Sequence, residues 1–580
     1  MADFYPPESG SVHSIDRIFH AWLGNITQGL SPSSLMLASF DWWSHLLAAP
    51  AKQAELVQKS MRKLARLYMY ACKCTCIEGC EDCILPLPQD RRFNNPAWKQ
   101  WPFNVIYQSF LLNQQWWHNA TTGVRGVSHH HEDAVSFAAR QLLDMFSPSN
   151  FLITNPEIQQ VMYKQLGANL VRGFFNLMED WERTTGGKRP VGIENFQVGR
   201  NVAVSPGKVI YRNRLIELIQ YSPETDTVWK EPVLIIPAWI MKYYILDLSP
   251  HNSLVKYLVS KGHTVFIISW KNPAADDRDL GMQDYLDLGV MSALKAVASV
   301  LPESKVHAVG YCLGGTLLAI AAAAMARDDD DRLASITLLA AQTDFGEAGE
   351  LMLFIDESQV TFLEDVMWEQ GYLNTRQMAG AFQLLRSNDL IWSAMLHDYL
   401  LGERRPMTDL MAWNADATRM PYRMHSEYLR ELFLNNALAA GHYPVGDKPV
   451  ALTDIRVPIF CVGAETDHVA PWTSVYKINL LSDTDVTFLL TSGGHNAGII
   501  SEPGHPGRHF RVAEKHEGEP YVGPQQWFDT MPVNEGSWWL TWQRWLVAHS
   551  GKQGEIPGVG NIKAGYAPLG DAPGTYVLQK

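Results

Sequence analysis

Apolar positions recur every third or fourth residue through AAPAKQAELVQKSMRKLARLYMYA (48–71) and EDAVSFAARQLLDMF (132–146), the spacing that puts them on one face of an α-helix. SPSN (147–150) then supplies stop and cap chemistry, since proline cannot continue a helix and serine or asparagine can cap the next. The first 195 residues read as mostly helical. From about 196 the texture changes to short runs rich in β-branched residues. They are KVIYRNRLIELIQY (208–221), PVLIIPAW (232–239), HTVFIISW (263–270), KVHAVGYC (305–312), ASITLLAA (334–341), VPIFCVGA (457–464) and VTFLLTS (486–492). Helical patterns separate most of them, among them YLDLGVMSALKAVASVL (285–301) and TLLAIAAAAMAR (316–327). Such alternation predicts an α/β fold, a largely parallel sheet covered on both faces.

Between 345 and 452 the alternation stops. ESQVTFLEDVMWEQ (357–370) and HSEYLRELFLNNALAA (425–440) have helical texture and no strand is evident. The stretch reads as an insertion between two sheet strands, the usual place for a lid. The expected organisation is a helical N-terminal domain over 1–195, an α/β core in two parts over 196–344 and 453–580, and a cap over 345–452.

Composition narrows the function classes. The 580 residues are 46% hydrophobic and 19% charged, an ordinary globular balance that allows a large core. A formal net charge of −13 argues against a nucleic-acid partner and against a broadly basic membrane-binding face. No apolar run approaches the roughly 18 residues of a membrane span. The start, MADFYPPESGS, lacks the basic-then-apolar order of a signal peptide. Seven cysteines, five of them crowded between Cys72 and Cys83, are not the even spread of a disulfide-stapled secreted protein. A cytoplasmic location is expected.

The sharpest chemical signal lies in VGYCLGGT (309–316). Gly310, Cys312 and Gly314 form G-x-C-x-G between a strand pattern and an alanine-rich helix pattern, the context of the nucleophile turn of serine hydrolases with cysteine in place of serine. The glycines let strand and helix approach at a tight, strained turn. The helix start aims amides and the positive end of its dipole at the cysteine, which favours a thiolate and a developing oxyanion. A triad on this fold follows in the order nucleophile, acid, histidine. Asp467 comes just past the strand pattern VPIFCVGA, and His495 stands in the glycine-rich loop GGHNAG after VTFLLTS. Asp485 competes more weakly for the acid's place, and His468 is expected to support the site rather than act as its base. The oxyanion donors are expected to be the amide of Leu313 and one from Trp239 or Ile240, in the loop after PVLIIPAW.

Other features have quieter readings. Cys72, Cys74, Cys76, Cys80 and Cys83 include one C-x2-C and four thiolates could hold zinc, but the spacing is short and no second distant pair exists, so no metal is assigned. Cys461, inside an apolar strand, reads as inert core. His129, His130 and His131 are consecutive and read as a surface loop. Trp538, Trp542 and Trp545 recur at helical spacing and are expected to pack on the sheet. RDDDDR (327–332) reads as a solvated helix end and turn.

Taken together, the residues resemble one family, the polyhydroxyalkanoate synthases, and most closely the class I type that polymerises short-chain 3-hydroxyacyl-CoA. The resemblance covers nearly the whole chain. It includes RQLLDMFSPSNFLITNPE (140–157), FQVGRNVAVSPGKVIYRNRLIELIQY (196–221), PAWIMKYYILDLSPHNSLVKYLVSKGHTVFIISWKNP (237–273) and GYCLGGT (310–316). It continues through FQLLRSNDLIW (382–392), MAWNADATRMP (411–421), YLRELFLNN (428–436), AETDHVAPW (464–472) and SGGHNAGII (492–500). CKCTCIEGCEDC (72–83) departs from the family pattern, and 14–46 resembles an extension found in some members only. The resemblance implies an α/β-hydrolase fold with a helical N-terminal domain and a cap. It implies Cys312 as acyl-accepting nucleophile, His495 as base and Asp467 as third member. It further implies (R)-3-hydroxyacyl-CoA as substrate, a growing polyester chain and granule surface as partners, and a homodimer. No metal or organic cofactor is needed for such chemistry. Two rival readings remain: a thioesterase or intracellular polyester depolymerase with the same triad, and a catalytically silent granule-binding scaffold.

Overall fold

The structure is a computed structural model that describes residues 11–27, 29–74, 80–375, 377–378, 387 and 391–580. An eleven-stranded sheet forms its frame. The strands are β1 (Gly207–Arg212), β2 (Ile216–Tyr221), β3 (Val233–Ile236), β4 (Val265–Trp270), β5 (Val306–Tyr311), β6 (Leu333–Leu339), β7 (Ile459–Ala464), β8 (Val486–Thr491), β9 (His509–Lys515), β10 (Asn534–Glu535) and β11 (Gly570–Asp571). In space they run β10-β9-β8-β7-β6-β5-β3-β4-β2-β1-β11. From β4 to β8 every neighbouring pair is parallel. β2 is antiparallel to both β4 and β1, and β9 to β8. This is the α/β-hydrolase fold. β2, β3, β4, β5, β7 and β8 are buried along their whole length, as strands covered on both faces must be.

The run 208–221, read as one short run rich in β-branched residues, is a hairpin of β1 and β2. Asn213 Oδ1 accepts the N–H groups of Leu215 and Ile216, each at 2.8 Å, and this side-chain turn reverses the chain between β1 and β2. Trp538 and Trp542 are fully buried in the core of the sheet, and the Trp542 indole N–H reaches Thr337 Oγ1 on β6 at 3.0 Å.

The chain divides into two compact units, residues 1–23, 192–375 and 408–580 in one, residues 24–191 and 376–407 in the other. The 345–452 stretch is thus shared between them rather than gathered in one body. Asn169 and Asn176, on the helix Ala168–Thr185, explain this for 395–400: their amides donate to the carbonyls of Leu400 and Asp398, each at 2.8 Å. The stretch also carries strands where none was evident, Tyr372–Leu373 with Met420–Pro421 and Tyr443–Val445 with Lys448–Val450. Within the helical unit, His129, His130 and His131 are not a loop but the first turn of the helix His129–Met145. Ser128 caps that turn through the His131 N–H at 3.3 Å, and His131 Nδ1 lies 2.6 Å from Asp41 Oδ2.

Candidate active site

β5 ends at Tyr311 and the helix Leu313–Arg327 starts two residues later, leaving Cys312 alone in the turn. Its φ of 52° and ψ of −122° lie in a region that residues with a Cβ rarely adopt, at a cost of roughly 1–3 kcal/mol. The surrounding packing enforces it. The Cys312 N–H donates to Leu339 O on β6 at 2.9 Å, and its carbonyl accepts Gly315 N–H at 2.8 Å. A Cβ on Gly310 would strike the Gly315 backbone, and one on Gly314 would run into the carbonyl oxygens of Ile236 and Pro237. Only glycine permits that approach, which brings the helix start against the loop after β3. Leu313 is the first residue of its helix, so its N–H has no acceptor within the helix. Among the described residues the amides of Leu313, Trp239 and Ile240 donate to no backbone acceptor.

His495 and Asp467 converge on the same turn from the ends of β8 and β7. The two loops are bonded to each other, Glu465 N–H to Thr491 O at 2.9 Å and Thr466 N–H to Gly493 O at 3.0 Å. His495 Nδ1 lies 2.7 Å from Asp467 Oδ2, and the Cys312 sulfur is close enough to the ring to act on its charge. Asp467 Oδ1 accepts the N–H groups of Val469 and Ala470 at 2.8 and 2.9 Å, so both carboxylate oxygens are engaged. Burial by itself would disfavour a charged His495 ring. The Asp467 carboxylate and the Cys312 sulfur outweigh it and hold the His495 pKa well above its ordinary value. Cys312, His495 and Asp467 thus form a connected chain of sulfur, imidazole and carboxylate.

Several supporting side chains carry no sequence signature. The buried Tyr311 hydroxyl donates to Asn496 Oδ1, tying the residue before Cys312 to the residue after His495, and its ring lies 5.7 Å from that of His495. Arg508 donates to the carbonyls of Ala497, at 2.6 Å, and of Ser492 and Ile500, each at 3.3 Å. The indole N–H groups of Trp538 and Trp539 reach Gly498 O and Ile499 O at 3.0 and 2.9 Å. Tyr428, from the inserted stretch, is half-buried and close enough to Cys312 that desolvation and the sulfur's charge together push its phenol pKa well up. Tyr311 and Asn496 adjoin the candidate residues in sequence and could have been suspected. Arg508, Trp539 and Tyr428 are joined to the site only by folding.

The remaining candidates lie elsewhere. His468 is exposed and, among the described residues, makes no hydrogen bond to Asp467 or His495, because the chain turns there to aim the next two amides at Asp467. Asp485 is exposed and accepts Glu517 N–H at 2.9 Å. Cys74 and Cys80 are joined in a disulfide, which takes both sulfurs out of a four-thiolate metal set. Cys83 Sγ donates to Gln108 Oε1 at 2.9 Å, Cys72 is exposed, and Cys76 lies outside the described residues. Cys461 is fully buried, and burial raises its thiol pKa, as an inert core cysteine requires. No helix among the described residues is long and apolar enough to cross a membrane.

Comparison with known proteins gives three family matches: the N-terminus of poly-beta-hydroxybutyrate polymerase (PhaC) over residues 89–258, a poly-beta-hydroxybutyrate polymerase N-terminal family over 10–52, and the alpha/beta hydrolase fold over 231–500. The poly(3-hydroxyalkanoate) polymerase of Methylorubrum extorquens is 40% identical over 541 residues, 91% of this chain and 88% of that protein. The poly(3-hydroxyalkanoate) polymerase subunit PhaC of Cupriavidus necator is 34% identical over 568 residues, 96% of this chain and 94% of the relative. Among solved structures, mouse alpha/beta hydrolase domain-containing protein 10 is 16% identical, covering 50% of this chain and 93% of its own, with a TM-score of 0.30.

Proposed function

The chain belongs to the poly(3-hydroxyalkanoate) polymerases and is an enzyme, and from that premise we propose that it polymerises (R)-3-hydroxyacyl-CoA, 3-hydroxybutyryl-CoA first among them, through a thioester on Cys312. The observation that carries this reading is the connected chain Cys312–His495–Asp467 at the strained end of β5. In the first half-reaction the Cys312 sulfur attacks the thioester carbonyl. The oxyanion is held by the Leu313 amide and by that of Trp239 or Ile240. The intermediate collapses, the bond to coenzyme A breaks, and the His495 imidazolium protonates the departing thiolate. In the second, the 3-hydroxyl of a monomer or chain end attacks the acyl-cysteine. Its proton passes to the His495–Asp467 pair, an ester bond forms and Cys312 is released. Thiol-to-thioester exchange leaves the acyl group at nearly the energy it had on coenzyme A, so the acyl-enzyme retains the drive to elongate. An ester on serine would already lie close to the product.

The acceptor must be a hydroxyl and not water, or the same residues act as a thioesterase. Cover supplied by the inserted stretch suits that requirement: the Thr418 N–H donates to Ile240 O at 3.0 Å and the Trp239 indole to Met424 Sδ at 3.1 Å. The helical unit exposes Phe40, Trp43, Leu64, Phe174, Phe175 and Trp181, apolar side chains suited to contact with hydrophobic polyester. The working form is a cytoplasmic homodimer at the surface of polyester granules.

The test is coenzyme A release from (R)-3-hydroxybutyryl-CoA by wild type, Cys312→Ala and Cys312→Ser, with the acyl product identified. Wild type is expected to yield insoluble polyester, Cys312→Ala to fall at least about 10³-fold, and Cys312→Ser to be strongly impaired. Free hydroxy acid as the sole wild-type product would make the protein a hydrolase. Full polymerisation by Cys312→Ser would remove the argument for the thiol.

A further inference from the structure

The helix Tyr422–Glu427 and the π-helical segment Tyr428–Leu434 that continues it belong to the same compact unit as Cys312. They are fastened over the loop after β3 by Thr418, whose hydroxyl and N–H donate to the carbonyls of Trp239 and Ile240, and by Met424, whose sulfur accepts the Trp239 indole N–H. Tyr428 lies within reach of the Cys312 charge. His425 stands three residues earlier, on the same helical face, with its ring 6.3 Å from that of Tyr428.

His425 is 7% exposed, and its Nδ1 has no hydrogen-bond partner among the described residues. The nearby carboxylate, Glu364, does not fill that need. It is already held by Ser426 Oγ and by two nitrogens of Arg430, at 2.7 and 2.8 Å. Burial lowers the His425 pKa to about 4, with Glu364 opposing only in part, so the ring is neutral at physiological pH and keeps an acceptor nitrogen. A buried polar atom left unpaired is costly, and a hydrophobic side chain of similar size would fill the space without that cost. A neutral imidazole whose Nδ1 is unengaged, a single helical turn from Tyr428, which feels the Cys312 charge, is suited to a hydroxyl donor.

We propose that His425 is a specificity-determining residue that touches the substrate, its Nδ1 accepting a hydrogen bond from the 3-hydroxyl of the acyl group held at Cys312. The inference rests on the acyl-CoA reading of the site. Through this contact the enzyme distinguishes a 3-hydroxyacyl group from a plain acyl group of the same length, because only the former pairs the buried nitrogen.

The experiment is first-turnover coenzyme A release from (R)-3-hydroxybutyryl-CoA and from butyryl-CoA, which lacks the hydroxyl, by wild type, His425→Phe and His425→Gln. His425→Phe is expected to slow the hydroxylated substrate about tenfold and to leave butyryl-CoA within about twofold, which collapses the preference. His425→Gln, which keeps a hydrogen-bonding group, is expected to retain most of it. Equal losses on both substrates would assign His425 to packing and overturn the proposal, as would an unchanged ratio in His425→Phe. A wild type that releases no coenzyme A from either substrate would overturn the acyl-CoA reading itself, and the proposal with it.

Discussion

Asp467 is the residue whose surroundings leave it least freedom. One oxygen is committed to the amides of Val469 and Ala470 and the other to His495 Nδ1, which leaves Nε2 as the ring nitrogen available to Cys312. An asparagine has one oxygen to serve both sides, so its NH2 would oppose either two backbone donors or the Nδ1–H. Asp467→Asn is therefore expected to lower the initial rate of coenzyme A release by about 10²–10⁴-fold with little change in folding, through the wrong imidazole tautomer. Steady-state kinetics beside a thermal melt checks this, and a loss below about threefold would detach Asp467 from the chemistry. That an acid belonged near Asp467 was legible from its place past a strand. That its second oxygen is spoken for by its own turn was not.

At the scale of elements, the loop after β8 determines whether His495 stays in line with Cys312. Its bends leave the carbonyls of Ser492, Ala497, Gly498, Ile499 and Ile500 turned toward side chains. Arg508 takes the first, second and last, and the Trp538 and Trp539 indoles take the other two. The tryptophan pattern at 538–545 was legible as core packing because helical spacing reports one apolar face. Its use as a bracket for a loop some 40 residues earlier was not, since an indole N–H finds its acceptor through space. Arg508→Met keeps an unbranched apolar stem but removes the guanidinium from three carbonyls. It is expected to lower the turnover rate about 10–100-fold while KM changes little, because a displacement on the order of 1 Å at the reacting groups costs that much. Parallel losses in KM and turnover, with a fallen melting temperature, would reduce Arg508 to a fold-stabilising role.

At the scale of the whole molecule, two buried histidines tie stability to pH. His307 hydrogen-bonds Ser335 Oγ at 2.7 Å and Ser550 Oγ at 3.0 Å, and both ring nitrogens of His263 lack partners among the described residues. Burial, with mutual repulsion adding to it at His307, depresses the pKa of His263 to about 4 and that of His307 to about 3. The unfolded chain takes up these protons near pH 6.5 and the folded one only near 4 and 3. Their stabilising effect is therefore complete above about pH 7 and is lost as pH falls from 6.5 toward 3, by on the order of 4 kcal/mol per fully buried ring. Melting temperature is expected to decline through that acid window, with a shallower decline in His307→Gln. An acid limb of equal slope in that variant would place the proton uptake elsewhere.

What the sequence determined by itself is what short range encodes. The period of apolar residues separated helices from strands, and a glycine pair around Cys312 marked a turn between strand and helix. Chain order set an acid and a histidine after later strands. What only the tertiary structure decided depends on groups far apart in the chain. Residues 391–407 join the helical unit while the described rest of the insertion stays with the sheet, and the amides of Asn169 and Asn176 satisfy the carbonyls of Leu400 and Asp398 there. The three histidines at 129–131 open a helix because one serine cap and one distant aspartate satisfy it there. Arg508, Tyr428 and His425 acquire their meaning from surroundings that local periodicity does not register. A residue's pattern reports the face it presents, whereas its partners are fixed only when the whole chain competes for the same buried space.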